Sequence, residues 1–253
     1  MAVALWEMIA TARPPRGAAD LSAWSQISTT LRGQHRPGDL LVFAPAWIDP
    51  LGRQHLGDLM SLEMVGRMDS ARYPIVWEVG LDQARAPETA GLEADRSWRF
   101  GALTLRHYAR EPVQVVTDFV EGFSAATQRG ARAGRAKVVL TEVGYEPHRC
   151  VEVVPAPDGS AVVSYADVEL GSELVGYVGL ADAFTRRDVR EPGHLRVTVD
   201  GVQVAQVVAG IDDGWVRFHA ATEPGPAHVE FTASAVGPGA VNRRICFAAE
   251  ARR

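Results

Sequence analysis

Five polar or aromatic residues follow one apolar run closely enough to act together. In "DLLVFAPAWIDPLGRQHLGDLM", residues 39–60, a stretch that reads as a buried strand leads into Trp47, Asp49, Arg53, His55 and Asp58. In an open α/β sheet, ligands bind beyond the C-terminal ends of the strands, which is where this loop falls. Asp49, His55 and Asp58 could ligate a metal or serve as base and acid. No HxH, HxxxH or DxD spacing reinforces that reading, and Asp49-Pro50 is also a common turn opener. Gly52 and Gly57 match neither GxGxxG nor the GxxxxGK[ST] phosphate loop, and no GxSxG elbow occurs. The competing expectation is a structured loop in which Asp58 starts a helix and Trp47 packs on the core.

A second set of side chains suits sugar chemistry. A sugar presents a C–H face that stacks on Trp or Tyr, while its hydroxyls pair with Asp, Asn, Arg or His. Tyr177, Phe184, Arg186, Arg187 and Trp215 lie in or beside predicted turns of the C-terminal half. In "DGWVRFHA", Trp215 alternates in phase with Arg217 rather than with Val216 and Phe218. It is therefore expected to be an edge cover or a surface platform. The chain has two cysteines, Cys150 and Cys246, each in a strand-like run near one end of the C-terminal half. They could meet as a disulfide or stay as two buried thiols, which behave as small hydrophobes. Two cysteines exclude a Cys-rich zinc site, and no CxxC motif occurs. His148 precedes Cys150 by two residues but lacks further metal-ligand partners in sequence. Asp212-Asp213 and Asp182 with Asp188 read as turn and loop chemistry, and no dense Asp/Asn loop requires calcium. No cofactor is expected.

The elements that must hold these residues differ between the two halves. Leu21, Trp24, Ile27 and Leu31 recur at helical spacing, with Asp20 as N-cap and Pro37-Gly38 as stop. A strand over "DLLVFA" follows. A second helix is predicted from Leu59, Leu62, Met64 or Val65, and Met68, with Asp58 near its start. "YPIVWEVGL" completes a βαβ pattern. "RFGALTLRHYAR" reads as a strand or hairpin arm, and "VQVVTDFVEGF" as a strand. The segment "SAATQRGARAGRA" commits to neither state. From Lys137 onward, nine β-rich runs alternate with turn signals such as Asp200-Gly201 and Asp212-Asp213-Gly214, the pattern of a sandwich or jelly roll. The expected class is α/β plus all-β: a small Rossmann-like α/β domain over 18–135, then a jelly-roll β-sandwich over 136–253.

Composition sets the outer limits. The chain has 253 residues, 47% hydrophobic and 23% charged, ample for a core of ordinary size. A net charge of -5 argues against a nucleic-acid partner. The basic cluster "QRGARAGRAK" has no interleaved aromatic and reads as a solvated loop. No apolar run approaches the roughly 20 residues of a membrane span. The opening "MAVALWEMIATARPP" carries Glu7 in its apolar run and makes a poor secretory signal.

"LGSELVGYVGLADAF", "HLRVTVDGVQVA", "DDGWVRFHAATEPGPAHVEFTASA" and "RRICFAAEAR" resemble the galactose-binding-like jelly rolls of carbohydrate-binding modules. With "WSQISTTLRGQHRPGDLLVFAPAW" the chain also resembles the soluble extracytoplasmic part of bacterial multi-spanning membrane glycosyltransferases, of the protein-mannosyltransferase kind. Their catalytic acids lie in loops between membrane helices, so none carries over to this chain. The resemblance implies a non-catalytic accessory domain that binds carbohydrate or a protein partner, with membrane association only through a parent protein and an extracytoplasmic location. Two other classes stay open: a small hydrolase or transferase with its site over residues 45–58, and a structural protein–protein module. Neither oligomeric state nor ligand identity follows from the sequence.

Overall fold

In a computed structural model, residues 20–130, 136–155, 159–181, 191–235 and 243–253 are described. The chain divides into two units. The first comprises described residues 20–64 and 73–112; the second comprises 65–72 and 113–253. Residues 113–129 thus belong with the second unit, although the sequence periodicity groups them with the first. The reason is pairing: β5 (Val115–Asp118) and β6 (Thr127–Arg129) each bond to a strand of the second unit.

The first unit is built on a four-stranded mixed sheet. Its strands are β1 (Leu40–Ala44), β2 (Ile75–Leu81), β3 (Arg96–Phe100) and β4 (Leu103–Ala109), in spatial order β1-β2-β4-β3. β1 and β2 run parallel, with Leu40 opposite Val76; β4 pairs antiparallel with both β2 and β3. A Rossmann-like layer is not shown. Only one pair is parallel, because β3 and β4 are joined by a tight turn at Gly101-Ala102, and such a hairpin can only return antiparallel. Helix α1 (Leu21–Arg32) buries Ala23, Trp24, Ile27 and Leu31 against the sheet's apolar residues. Asp20 caps it, accepting from the Ser22 and Ala23 amides at 2.9 and 3.2 Å.

The second helix lies earlier than the periodicity predicts. α2 spans Asp49–Leu56, with Pro50 in its first turn, where the missing N–H costs nothing. A 3-10 turn (Gly57–Leu59) and the short α3 (Leu62–Val65) follow. Asp58 does not cap a helix. Its carboxylate pairs with Arg32, whose Nη2 also donates to the His55 carbonyl near the end of α2 at 3.2 Å.

The second unit is an antiparallel β-sandwich. One sheet has the order β13-β10-β15-β8-β7, with β5 also pairing β15; the other runs β12-β11-β14-β9-β6. The nine β-rich runs correspond to β7 (Lys137–Val143), β8 (Glu146–Val153), β9 (Ser160–Leu170), β10 (Glu173–Leu180), β11 (Gly193–Val199), β12 (Val202–Ala209), β13 (Val216–Ala221), β14 (Gly225–Ala235) and β15 (Ile245–Arg252). Val151, Leu174, Val178 and Phe247 from one sheet meet Val163, Leu195, Val229 and Phe231 from the other in a single core. Asp200 and Gly201 take φ of 48° and 80° in the β11–β12 turn, the left-handed pair that a two-residue hairpin needs. No helix among the described residues is long and apolar enough to cross a membrane.

Candidate functional site

In the first unit, Trp47, Asp49 and His55, three of the residues singled out after β1, are placed quite differently from one another. Trp47 sits in a 3-10 turn, Ala46–Ile48, directly after the strand and is 62% exposed. Ile48 beside it is fully buried and fixes the turn. Asp49 opens α2 and pairs with Arg53 one turn later at 2.5 Å. His55 lies flat against the buried Trp24 ring, with centroids 5.3 Å apart and planes 10° from parallel. His55 therefore serves as a cover for the core, while Trp47, two residues before Asp49 in the chain, offers an open ring. Asp49 and His55 are not brought together with a further ligand: among the described residues no group of three or more His, Cys, Asp or Glu could hold a metal.

In the second unit, the side chains of the six-stranded sheet alternate between core and outer face. Tyr177, Cys150 and Cys246 are out of phase with the core residues Val178, Val151 and Phe247. Cys150 and Cys246 form a disulfide across neighbouring strands β8 and β15, with Cα atoms 5.7 Å apart. Trp215, just before β13, packs on this pair together with Val143. Its ring is stacked with His148 at 4.5 Å and with Tyr177 at 5.9 Å. Gly179 makes room for it: a Cβ there would lie 3.3 Å from the indole and 2.5 Å from the Gly214 carbonyl.

This aromatic group is not a free platform, because residues Val65–Arg72 of the same unit form a strap tied to it. Three successive carbonyls of the strap are engaged. The Arg149 amide donates to Gly66 O at 2.7 Å, His148 Nδ1 to Arg67 O at 3.2 Å and Trp215 Nε1 to Met68 O at 3.1 Å. Asp69 accepts from Arg252 Nη2 with both carboxylate oxygens at 2.9 Å and from the Ala71 amide at 3.0 Å, and Arg252 Nε donates to Glu250 at 2.7 Å. Arg72 closes the network on Glu250 and Asp118. Arg252 and Glu250 are only 3% and 2% exposed, so charge pairing is what makes their burial tolerable. Arg186, with Phe184, Arg187, Asp182 and Asp188, lies outside the described residues.

Two polar centres of the first unit carry no motif in the sequence. Glu78, on the central strand β2, is fully buried. It accepts from Arg106 at 2.6 Å, the Ala86 amide at 2.8 Å, Tyr108 at 3.4 Å and the Thr89 hydroxyl, with Arg85 at 3.3 Å. Every lone pair is engaged, so the carboxylate pins the 84–92 segment to the sheet. On the opposite face, His107 Nδ1 donates to both oxygens of Asp95 at 2.8 Å and meets the Trp77 ring edge-on at 4.5 Å. The signals were present as a charged residue inside an apolar strand ("IVWEVGL") and inside another ("LTLRHYA"). Their partners lie up to 30 residues away and could not be paired by spacing.

No family model matches the chain, and no curated protein matches it. Among solved structures, a family 51 carbohydrate-binding module with GlcNAc and neighbouring domains, from Clostridium perfringens ZmpB, aligns at TM-score 0.40 and 16% identity. That match covers 62% of this chain and 36% of the other, so this chain spans about a third of it. A second family 51 module, from a Clostridium perfringens glycoside hydrolase, in complex with methyl-galactose, aligns at TM-score 0.38 and 11% identity, over 53% of this chain and 98% of that one. A family 35 module from Clostridium thermocellum aligns at 0.31 and 15%, over 55% and 95%. Likenesses this distant carry no argument about ligand or activity.

Proposed function

We propose that this chain is a carbohydrate-binding accessory domain and that Trp47 is its sugar-contacting ring. The observation that carries the reading is the 62% exposure of an indole held by the buried Ile48 beside it and followed by the Asp49–Arg53 pair. A large exposed aromatic anchored at its backbone loses little conformational entropy on contact. Its negative π face attracts the weakly positive C–H bonds on one face of a sugar ring. Asp49 and Arg53 supply an acceptor and donors for hydroxyl groups at the rim, the arrangement of an apolar platform with few polar groups.

The resemblance to membrane glycosyltransferases extends the proposal: the domain would be the soluble, non-catalytic part of such a protein. The Cys150–Cys246 disulfide suits the oxidising, extracytoplasmic setting that this implies. Coding sequence for multiple membrane spans directly upstream would support the parentage, and a free-standing reading frame would count against it.

The sugar reading is tested by titrating a glycan panel to millimolar concentration against the wild-type chain and Trp47→Ala. Saturable binding that weakens about tenfold or more in the variant, at unchanged circular dichroism, supports it. Binding that Trp47→Ala leaves intact moves the site elsewhere. If no glycan binds at all, the carbohydrate reading fails.

A further inference from the structure

The strap over the second unit's outer face is closed by a histidine that has one nitrogen engaged and one without a partner among the described residues. His148 is 7% exposed, and its ring is stacked on Trp215. Its Nδ1 faces the Arg67 carbonyl at 3.2 Å, and a carbonyl can only accept, so Nδ1 carries the proton. Nε2 is buried with no hydrogen-bond partner among the described residues. The neutral Nδ1–H tautomer therefore fits the site. The cation would place a second N–H where nothing accepts it.

The one charge that acts on this ring among the described residues opposes its protonation, and the other charged groups of the surrounding network are already engaged. On the strap, Arg67 adds like charge, and Asp69 is held by Arg252. On β15, Glu250 is shared by Arg252 and Arg72. On β8 itself, Arg149 pairs with Glu121. On β10, Tyr177 stacks on Trp215, and burial holds its phenol in the neutral form. Among the described residues, the Arg67 carbonyl and the Trp215 indole would welcome a cation, and neither accepts from Nε2.

We propose that the strap Val65–Arg72 is an acid-released clasp, held shut by neutral His148 and opened when that ring is protonated. Burial pushes the imidazole down to about 4 from its ordinary 6.5. The direction follows from linkage. A histidine whose folded value is depressed favours the closed form fully above its ordinary value, and loses that contribution as the pH falls from about 6.5 towards 4. Opening frees the Gly66, Arg67 and Met68 carbonyls together, because Arg149 and His148 are neighbours on β8 and His148 shares its stack with Trp215.

The test uses the whole chain and amide hydrogen exchange corrected for intrinsic rates. The Arg149 amide, bonded to the strap, is compared with Val178 in the middle of β10. Arg149 protection is expected to fall about tenfold or more between pH 7 and pH 4 while Val178 holds, and His148→Gln should abolish the fall. An equal fall in His148→Gln, or none in the wild type, overturns the proposal. NMR titration of wild-type His148 decides independently of the variant's folding. Ionisation well below 6 supports the clasp; ionisation at or above the ordinary value overturns it.

Discussion

Glu78 shows how much of the first unit depends on single side chains. A carboxylate with no solvent access is stable in a fold only when every acceptor position is filled, and here two arginines, a tyrosine, a threonine and a backbone amide fill them. Glu78→Ala would leave the 11%-exposed Arg106 side chain without its carboxylate and unpin the 84–92 segment. A loss of about 3–5 kcal/mol is expected, measured by urea unfolding. Glutamine in its place should recover only part of that, because the guanidinium still lacks its counter-charge. The residue scale was also the least legible in the sequence. Trp47, Asp49 and His55 lie within nine positions of each other, yet one is exposed, one is paired with Arg53 and one covers Trp24. Spacing alone could not sort them, since the sorting is done by a helix that starts at Asp49 and by the ring of a residue on α1.

At the scale of elements, strands were more legible than the second helix. Each β-rich run has alternating side chains bounded by Gly, Pro or Asp turns, and such a pattern constrains register as well as identity. The Asp200-Gly201 hairpin is the plainest case. The helix was misplaced because the apolar residues of 59–68 recur at helical spacing for another reason. They serve a 3-10 turn, one short helical turn and the strap in succession. Trp215 was correctly phased to the outer face, but the covering segment comes from 147 residues earlier in the chain. No local pattern announces such a contact. The packing there is tight enough to test. Gly179→Ala would press a methyl group towards the Gly214 carbonyl and the indole, so a loss of about 1–3 kcal/mol is expected. Because Trp215 must shift, its fluorescence should change in the folded state as well, whereas a variant that leaves both stability and emission unaltered would contradict the described packing.

For the whole molecule, the Cys150–Cys246 bond is the longest covalent constraint, closing 96 residues of chain. A loop of that length restricts the unfolded ensemble by about 4–5 kcal/mol in the chain-entropy account, less any native-state cost. Native protein should therefore show no free thiol, and two after denaturation with reductant; the reduced chain should unfold at lower urea, with the midpoint of the sandwich shifting and that of the first unit unchanged. Titratable thiols in the untreated protein would remove the bond from the description. The same bond decides how the chain responds to tension. Cys150 lies on β8 and Cys246 on β15, so β9 through β14 are contained in the closed loop. A load applied between residues before Cys150 and after Cys246 travels through sulfur rather than through those six strands. At about 3.5 Å per extended residue, on the order of 300 Å of contour is withheld from extension while the bond is intact. Oxidised, the span from Cys150 to Cys246 is a short tether of nearly fixed length; reduced, it becomes an extensible one.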